Sequence, residues 1–105
     1  MASFLALLSL THPKPEWTFY DLGCGLGKTV VAASLTYQFK KSIGIECLAE
    51  LIQHVTAQHK LTNTSFICGD IYTHNYHDAD LIFVNIASFI PEVWACLSQT
   101  LLAYT

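Results

Sequence analysis

The chain has 105 residues, enough for one domain, and 52% of them are hydrophobic while only 12% are charged. This composition excludes intrinsic disorder and predicts a packed core. The net charge is −3 at pH 7 and all five basic residues are lysines, so the chain lacks the dense basic patch on which nucleic-acid binding normally depends.

The cysteines and the N-terminal apolar run indicate an intracellular protein. No Cys-x-x-Cys pair suggests a zinc or redox motif, so we expect reduced thiols at the four cysteine positions, 24, 47, 68 and 96. The apolar run at 4–10 is too short to span a bilayer, and no basic residue precedes it as in a secretory signal. It predicts a short packing helix instead, and no membrane partner is expected.

The first half of the chain predicts two strand-helix pairs. An aromatic and β-branched run at 17–21 follows a proline-containing linker and predicts the first strand. Glycines at 23–27 form a tight loop, and a helix over 28–39 is predicted from apolar residues at positions 30, 31, 35 and 39. A second short strand is predicted at 42–46. The helix after it presents one apolar face, formed by Leu48, Leu51, Ile52 and Val55.

The second half predicts two more strands and a final helix. Residues 64–68 predict the third strand, and the apolar run 81–85 predicts a fourth strand buried on both faces. Pro91 suits the first position of the last helix and Glu92 its first turn. That helix carries one apolar stripe, formed by Val93, Trp94, Leu97 and Leu101. The alternation predicts an α/β fold with a parallel sheet and helical crossovers.

One connection fits this pattern poorly. The segment 70–80 is polar, lacks a helical period and is barely long enough for a parallel crossover, so we expect a loop with one irregular turn. It carries four residues of the types that bind metals, but their spacing would not bring them together, and no metal is expected. These residues are His74, His77, Asp78 and Asp80.

The glycine loop after the first strand narrows the ligand class. It reads Asp-Leu-Gly-Cys-Gly-Leu-Gly from Asp21. A P-loop would need its first glycine at Leu22, and a dinucleotide fingerprint would need its third glycine at Lys28. Both motifs also place a pyrophosphate at the helix N-terminus, where the Asp21 carboxylate would repel it. The loop therefore fits neither phosphate-binding class.

S-adenosylmethionine carries a sulfonium and an amino group but no phosphate, so a carboxylate beside the loop favours its binding. Glu46 ends the second strand, where an acid accepts hydrogen bonds from ribose hydroxyls. Asp70 follows the third strand, where a carboxylate could accept from an adenine amino group. Either acid alone is more often a solvated strand end or a cap. Their occurrence in order after successive strands predicts a nucleoside site at the carboxyl edge of the sheet.

These motifs resemble the signature of class I, seven-strand, S-adenosylmethionine-dependent methyltransferases over residues 19 to about 91. Within that class the segments 19–31, 41–46 and 81–85, with Phe89 and 91–93 behind them, are similar to the disruptor-of-telomeric-silencing (Dot-one) family of histone-lysine methyltransferases. The resemblance implies a Rossmann-like three-layer sandwich with a parallel sheet of about four strands in the order 3-2-1-4. It also implies that residues 1–105 are the N-terminal half of a seven-strand methyltransferase fold.

The resemblance also implies the site residues. In the family an Asn-Asn-Phe-x-Phe segment lines the methyl-transfer pocket; Asn85 and Phe89 match it, whereas Ile86 and Ala87 do not. Asn85 is therefore the expected catalytic residue. The expected S-adenosylmethionine-binding residues are Asp21, Gly23, Cys24, Gly25, Gly27, Glu46, Cys47, Asp70, Ile71 and Asn85.

Several functions remain open from the sequence. The activity that the resemblance implies is N-methylation of a protein lysine. A histone acceptor would place the protein in the nucleus, and any other acceptor would place it in the cytoplasm. The alternatives are a small-molecule or other class I methyltransferase, a truncated non-catalytic module that binds S-adenosylmethionine, and a P-loop phosphotransferase. With the order 3-2-1-4, the fourth strand would be an apolar edge, so self-association through it is also expected.

Overall fold

The computed structural model describes residues 2–25, 27–58, 61–85 and 91–104. The four strands lie within one residue of their predicted ends and form one parallel sheet in the order β3-β2-β1-β4, which confirms the predicted fold class. The elements in chain order are α1 Ala2–Ser9, β1 Thr18–Leu22, α2 Lys28–Tyr37, β2 Lys41–Glu46, α3 Ala49–Gln58, β3 Thr64–Cys68, β4 Leu81–Val84 and α4 Pro91–Leu102.

The central strand β1 separates two apolar layers. All five of its residues are buried, and because successive side chains of a strand point to opposite faces, neighbours in β1 join different clusters. One cluster contains α1 and α2 side chains and consists of Phe4, Leu8, Phe19, Ala33 and Phe39. The other lies across the sheet and consists of Tyr20, Leu22, Ile43, Ile45, Tyr76 and Leu97. The sheet is therefore covered on both faces, as a parallel sheet requires.

Helix α2 differs from its prediction in its buried face. We expected the face to include Leu35, but Leu35 is 63% exposed, and the buried side chains are those of Val30, Ala33 and Ser34. The three-and-four spacing from Val30 directs Ala33 and Ser34 towards the sheet and turns Leu35 away. The Ser34 hydroxyl tolerates burial because it donates to Asn63 Oδ1 at 2.7 Å.

The ends of α2 and α3 also correct the prediction. Helix α2 stops at Tyr37, two residues before the expected end, because Gln38 adopts a left-handed conformation (φ 52°) and its N–H donates to the Ser34 carbonyl. Leu48, expected on the buried face of the next helix, precedes α3 and is 57% exposed. Ile52 and Val55 are the buried residues of α3.

The connection between β3 and β4 contains turns and no helix, as the sequence predicted. Tyr76 from this loop occupies the layer that a crossover helix would fill, and its side chain is only 2% exposed. Its hydroxyl donates to the Ile71 carbonyl at 2.6 Å, and its ring packs against the rings of Tyr20 and Tyr104 at centroid distances of 5.4 and 5.6 Å. An aromatic side chain thus closes this face of the core.

Strand β4 is less covered than expected. Its four residues are half-buried rather than buried on both faces, and among the described residues it pairs only with β1. In α4 the predicted stripe is present in part: Leu97 is buried, while Trp94 and Leu101 are half-buried. The predictions for Ile86, Ala87, Phe89 and the Val93 side chain fall outside the described residues. Over the ranges described, no helix has both the length and the apolar character needed to cross a bilayer.

Candidate functional site

The glycine loop joins β1 to α2 in a conformation that only glycine adopts easily. Gly23, Gly25 and Gly27 have φ angles of 73°, 55° and 77°. A Cβ at Gly27 would lie 2.6 Å from the Phe66 ring, so this glycine is also required for packing against β3. At Gly25 an added Cβ would meet no atom within 4 Å. The backbone at Gly25 therefore borders open space that a ligand could enter.

Backbone hydrogen bonds hold the start of the loop against β2. The N–H groups of Gly23 and Cys24 both donate to the Ile45 carbonyl, at 2.8 and 3.1 Å. Gly44 allows this approach because a Cβ there would lie 2.7 Å from Cys24 Sγ. Burial and the neighbouring carboxylates of Asp21 and Glu46 raise the pKa of the Cys24 thiol to about 12. Cys24 is therefore a protonated, buried packing residue beneath the loop.

Glu46 connects the loop to the start of α3. Its Oε1 accepts a hydrogen bond from the Gly25 N–H at 3.1 Å. Its Oε2 accepts from the N–H groups of Cys47 and Leu48 at 2.9 and 3.2 Å. Its Oε2 also accepts from the Cys47 thiol, whose Sγ lies 3.5 Å away. A carboxylate has about four lone-pair directions on its two oxygens, so these bonds orient Glu46, and Oε1, which holds one bond, is the oxygen that keeps acceptor capacity at the sheet edge.

Asp21 is a buried acid at the end of β1. It is 4% exposed, and its Oδ2 accepts a hydrogen bond from the Thr29 hydroxyl in the first turn of α2. The pKa of Asp21 is raised to about 6: burial is the main cause, the bond from Thr29 opposes it, and the charge of Glu46 adds to the rise. At neutral pH Asp21 is therefore mostly ionised in a setting that favours a nearby positive charge.

A cavity of about 290 Å³ lies where β1 and β4 end. A volume of this size is at the lower end of small-molecule sites. Its polar walls come from the strand ends and from the first turn of α2, and its residues are Asp21, Gly23, Cys24, Lys28, Thr29, Phe83 and Asn85. The crevice beyond the carboxyl ends of parallel strands, at the point where the strand order reverses, is where such sheets bind ligands.

The predicted site residues fall into two groups. Four of them line this cavity: Asp21, Gly23, Cys24 and Asn85. The others lie along the same sheet edge, where Glu46 reaches the loop at Gly25. The Gly69 N–H donates to the Glu46 carbonyl at 3.1 Å and so brings the segment that contains Asp70 next to Glu46.

Asp70 and Ile71 are engaged with their own loop. Asp70 is exposed, and its Oδ1 accepts from the Tyr72 N–H at 2.8 Å, which makes it a turn residue. The Ile71 side chain is half-buried against the cluster around Tyr76, and its carbonyl accepts from the Tyr76 hydroxyl. No contact in the described structure joins either side chain to the cavity, so their adenine-binding role stays a prediction.

Three cavity residues were missed by sequence reasoning: Lys28, Thr29 and Phe83. Lys28 and Thr29 were not predicted as site residues, although their place in the first turn after the loop is the signal that they could reach the strand end. Phe83 was assigned to the apolar fourth strand, yet it pairs with Asp21 across β1 and β4 and lines the cavity. Alternation along a short strand cannot show which face borders a cavity.

The polar residues of the 70–80 loop stabilise the sheet. His74 Nε2 lies 3.2 Å from the Tyr20 hydroxyl, which donates to Asp78 Oδ1 at 2.8 Å. Burial and the Asp78 carboxylate raise the pKa of Tyr20 above its usual value. Asp80 Oδ2 accepts from the Thr18 N–H at 2.8 Å. In the described part of the chain, no three His, Cys, Asp or Glu residues are grouped to hold a metal ion.

Comparison with solved structures shows the same fold. An RNA methyltransferase from Salinibacter ruber, solved with S-adenosyl-L-homocysteine, has a TM-score of 0.87 at 22% identity and aligns over 98% of this chain and 67% of its own. The magnesium protoporphyrin IX methyltransferase from Synechocystis PCC 6803, solved with bound SAM, has a TM-score of 0.79 at 14% identity, covering 99% of this chain and 52% of its own.

Comparison of the sequence with known proteins identifies a relative and a family. A curated protein-lysine N-methyltransferase from Saccharolobus islandicus (strain REY15A) is 22% identical over 91 residues, which is 83% of this chain and 56% of that protein. The chain thus spans just over half the length of this relative. The family model described as histone methylation protein DOT1 matches residues 1–63, which include β1, the glycine loop and β2. Because the match covers more than half of the 105 residues, the chain belongs to the DOT1 histone methylation family.

Proposed function

We propose that this chain forms the S-adenosylmethionine-binding part of a methyltransferase that acts on a protein lysine. The observation that carries the proposal is the pair of carboxylates at the glycine loop: Asp21, buried beside the cavity, and Glu46, bonded to the Gly25 N–H. Membership of the DOT1 family supports methyl transfer, and the curated lysine methyltransferase relative supports a protein acceptor.

The charges at the site favour this ligand over a phosphate ester. Each carboxylate raises the energy of a nearby anion, and the mutual repulsion of Asp21 and Glu46 contributes to the high pKa of Asp21. A ligand with a sulfonium and an ammonium group relieves that repulsion, whereas a pyrophosphate would increase it. Lys28 also lines the cavity, but the two carboxylates outnumber this one cation, so the site favours a cationic nucleoside.

Different residues of the site would contact the ribose, the methionine part and the adenine of the ligand. Glu46 would accept a hydrogen bond from a ribose hydroxyl through Oε1, which holds one hydrogen bond, whereas Oε2 holds three. Gly23, Gly25 and Gly27 would allow the methionine part to approach the loop backbone, beside the ionised Asp21. The remaining predicted contacts, at the adenine edge and beneath the loop, are those of Cys24, Cys47, Asp70 and Ile71.

Asn85 is proposed as the residue at the methyl-transfer end. It is exposed and lines the cavity at the end of β4. Bound S-adenosylmethionine supplies a methyl group that is activated by its positive sulfur. The chain's task would be to align a neutral lysine amine about 3 Å from that methyl group and to exclude water. The Asn85 amide oxygen would accept a hydrogen bond from the amine and so orient it.

The proposed methyl acceptor is a protein lysine and, more specifically, a histone lysine. A protein lysine follows from the curated relative, and a histone lysine, with a nuclear location, follows from the family description. The net charge of −3, with no arginine, is unfavourable for direct contact with nucleic acid. A basic histone tail is electrostatically better suited to this surface.

Titration calorimetry tests the cofactor proposal. We expect the reduced chain to bind S-adenosylhomocysteine and S-adenosylmethionine with one site, and Glu46→Ala to weaken binding by about tenfold or more through loss of hydrogen bonds to a charged group. Glu50→Ala, which removes an exposed acid in the first turn of α3, is the matched control and should bind like the unaltered chain. Absence of heat at millimolar ligand would overturn the proposal, and Mg-ATP binding that Lys28→Ala abolishes would favour a phosphotransferase.

Methyl transfer needs a separate measurement. Transfer of radiolabelled methyl groups to core histones or nucleosomes would support the lysine methyltransferase, and Asn85→Ala should reduce that transfer more than it reduces cofactor binding. Labelling of small molecules alone would favour the alternative class I methyltransferase. Binding without any transfer would identify a non-catalytic module.

A further inference from the structure

Two exposed thiols flank Glu46 at the carboxyl ends of β2 and β3. Cys68 is the last residue of β3 and pairs with Glu46 in the parallel register, and Cys47 follows Glu46 in the chain. Cys68 Sγ lies 3.8 Å from the Cys47 carbonyl oxygen, and Cys47 Sγ lies 3.5 Å from Glu46 Oε2. Glu46, whose carboxylate is assigned to the ribose, thus has one cysteine beside it in the chain and the other beside it on the neighbouring strand.

The strand geometry allows these two thiols to be joined. Neighbouring strands are about 4.8 Å apart and a strand rises about 3.3 Å per residue, so positions offset by one residue have Cα atoms about 6 Å apart. Disulfides form over Cα separations of about 4.4 to 6.8 Å. Cys47 stands one position beyond Glu46, the register partner of Cys68, and so has about this offset. It lies in the bend that follows β2, so the strand alternation that would point its side chain to the opposite face from Cys68 does not extend to it.

The other two cysteines do not share this arrangement. Cys24 is buried beneath Gly44, and its raised pKa keeps its thiol protonated. Cys96 is exposed on α4, an element that follows β4 and does not join the sheet. Cys47 and Cys68 are therefore the pair that the topology brings to one edge.

We propose that Cys47 and Cys68 form a reversible disulfide that weakens nucleoside binding at Glu46. This inference rests on the proposed function for the ligand, but not for the disulfide itself. With hydrogen peroxide as the oxidant, two thiols lose two electrons and two protons, one S–S bond forms, and the peroxide is reduced to two water molecules. A thiol reductant reverses the reaction by exchange.

The order of the two steps follows from the contacts. The hydrogen bond to Glu46 is the main cause that raises the pKa of the Cys47 thiol, and the nearby Cys68 adds to it. Cys47 is thus held as a thiol, and the described contact of Cys68 Sγ is with the neutral Cys47 carbonyl. Peroxide oxidises Cys68 to the sulfenic acid and releases water. Glu46 then takes the proton of the Cys47 thiol along their hydrogen bond, the thiolate attacks the Cys68 sulfur, and the sulfenic hydroxyl leaves with that proton as the second water.

The disulfide would change the hydrogen bonds and the position of the Glu46 carboxylate. In the dithiol state Glu46 Oε2 accepts hydrogen bonds from both the Cys47 thiol and the Cys47 backbone N–H. Oxidation removes the thiol hydrogen and draws Cys47 Sγ towards β3. The carboxylate then loses one partner and shifts relative to Gly25, whose N–H it also holds. The effect on binding comes from this shift: a carboxylate moved away from its position at Gly25 loses one hydrogen bond to the ribose, which corresponds to about tenfold weaker nucleoside binding.

A peptide map tests the disulfide without any ligand. Trypsin cleaves after Lys41 and Lys60, so Cys47 lies in peptide 42–60 while Cys68 and Cys96 lie in 61–105. Peroxide treatment of the full chain should join these two peptides within a monomer, with a loss of two hydrogens. The link should persist in Cys96→Ser and disappear in Cys47→Ser and in Cys68→Ser. A link to Cys96, a linked dimer, or independent oxidation of the two thiols would overturn the proposal.

Calorimetry with S-adenosylhomocysteine tests the effect on the site. The oxidised chain should bind about tenfold more weakly than the reduced chain, dithiothreitol should restore binding, and Cys68→Ser should bind equally before and after peroxide. Equal affinity of the disulfide and dithiol forms would overturn the proposal that the disulfide weakens nucleoside binding. If the reduced chain did not bind, the proposed function would be overturned together with the effect of the disulfide on binding. The peptide map would still show whether the disulfide forms.

Discussion

The Thr29 hydroxyl donates a hydrogen bond to the buried carboxylate of Asp21, and this bond joins the first turn of α2 to the end of β1. The glycine loop lies between these two residues, so the bond closes the loop across its base. It also lowers the pKa of Asp21 against the effect of burial. One side chain thus supports both the loop geometry and the charge at the cavity.

Thr29→Val should destabilise the chain by about 1 to 3 kcal/mol at pH 7, because it leaves a buried carboxylate without a hydrogen-bond donor. Val keeps the volume and the branched shape of Thr. Urea unfolding followed by circular dichroism measures the change, and Thr29→Ser, which keeps a hydroxyl, should recover most of it. Equal stability of Thr29→Val and the unaltered chain would show that the bond contributes nothing.

Asp21 should make folding less favourable as pH rises. Its pKa is 3.8 in the unfolded chain and about 6 when folded, so below pH 3.8 both states hold the proton and the contribution is fully present. Between these values the folded state keeps a proton that the unfolded state has lost, and stability falls with pH. The shift corresponds to about 3 kcal/mol.

The isosteric variant Asp21→Asn isolates this effect. Its unfolding free energy minus that of the unaltered chain should rise by up to about 3 kcal/mol between about pH 3.5 and pH 7. Other titrating groups cancel in the difference, which urea titrations at several pH values provide. Glu50→Gln, at an exposed position, is the control. A difference that is flat with pH would contradict the raised pKa.

Gly27→Ala should destabilise the fold by about 1 to 3 kcal/mol, because alanine would have to adopt the left-handed backbone of this position (φ 77°) and its Cβ would lie 2.6 Å from the Phe66 ring. Adding Phe66→Leu should recover the part due to the clash but not the backbone strain. Gly69→Ala is the matched control, since its Cβ would meet only Ile67 at 3.6 Å. Thermal unfolding compares them, and equal effects of the two alanines would refute the packing argument.

Tyr76→Phe should cost about 1 kcal/mol by removing the hydrogen bond to the Ile71 carbonyl. Tyr76→Ala should cost about 3 to 5 kcal/mol because it empties the layer that this ring fills. Urea unfolding measures both. Tyr37→Phe, whose hydroxyl makes a longer bond of 3.3 Å to the Leu5 carbonyl, is the comparison and should cost less. A small effect of Tyr76→Ala would mean that the crossover loop is not part of the core.

Local patterns in the sequence were sufficient for the elements and their order. Strand and helix periods depend on neighbouring residues, so the alternation predicted a parallel sheet with four strands and nearly correct ends. The acids Asp21 and Glu46 follow parallel strands, which meet at one edge whatever the details of packing. The glycine spacing likewise predicted the loop, because left-handed backbone at positions 23, 25 and 27 requires that residue type.

Tertiary contacts alone decided the rest. The burial of Ser34 in place of Leu35 depends on Asn63, and the burial of Tyr76 depends on Tyr20 and Tyr104. No local period contains these partners, because they lie about 30 or more residues away along the chain. The approach of Cys68 to Cys47 arises in the same way, from two strand ends that meet only once the sheet has formed.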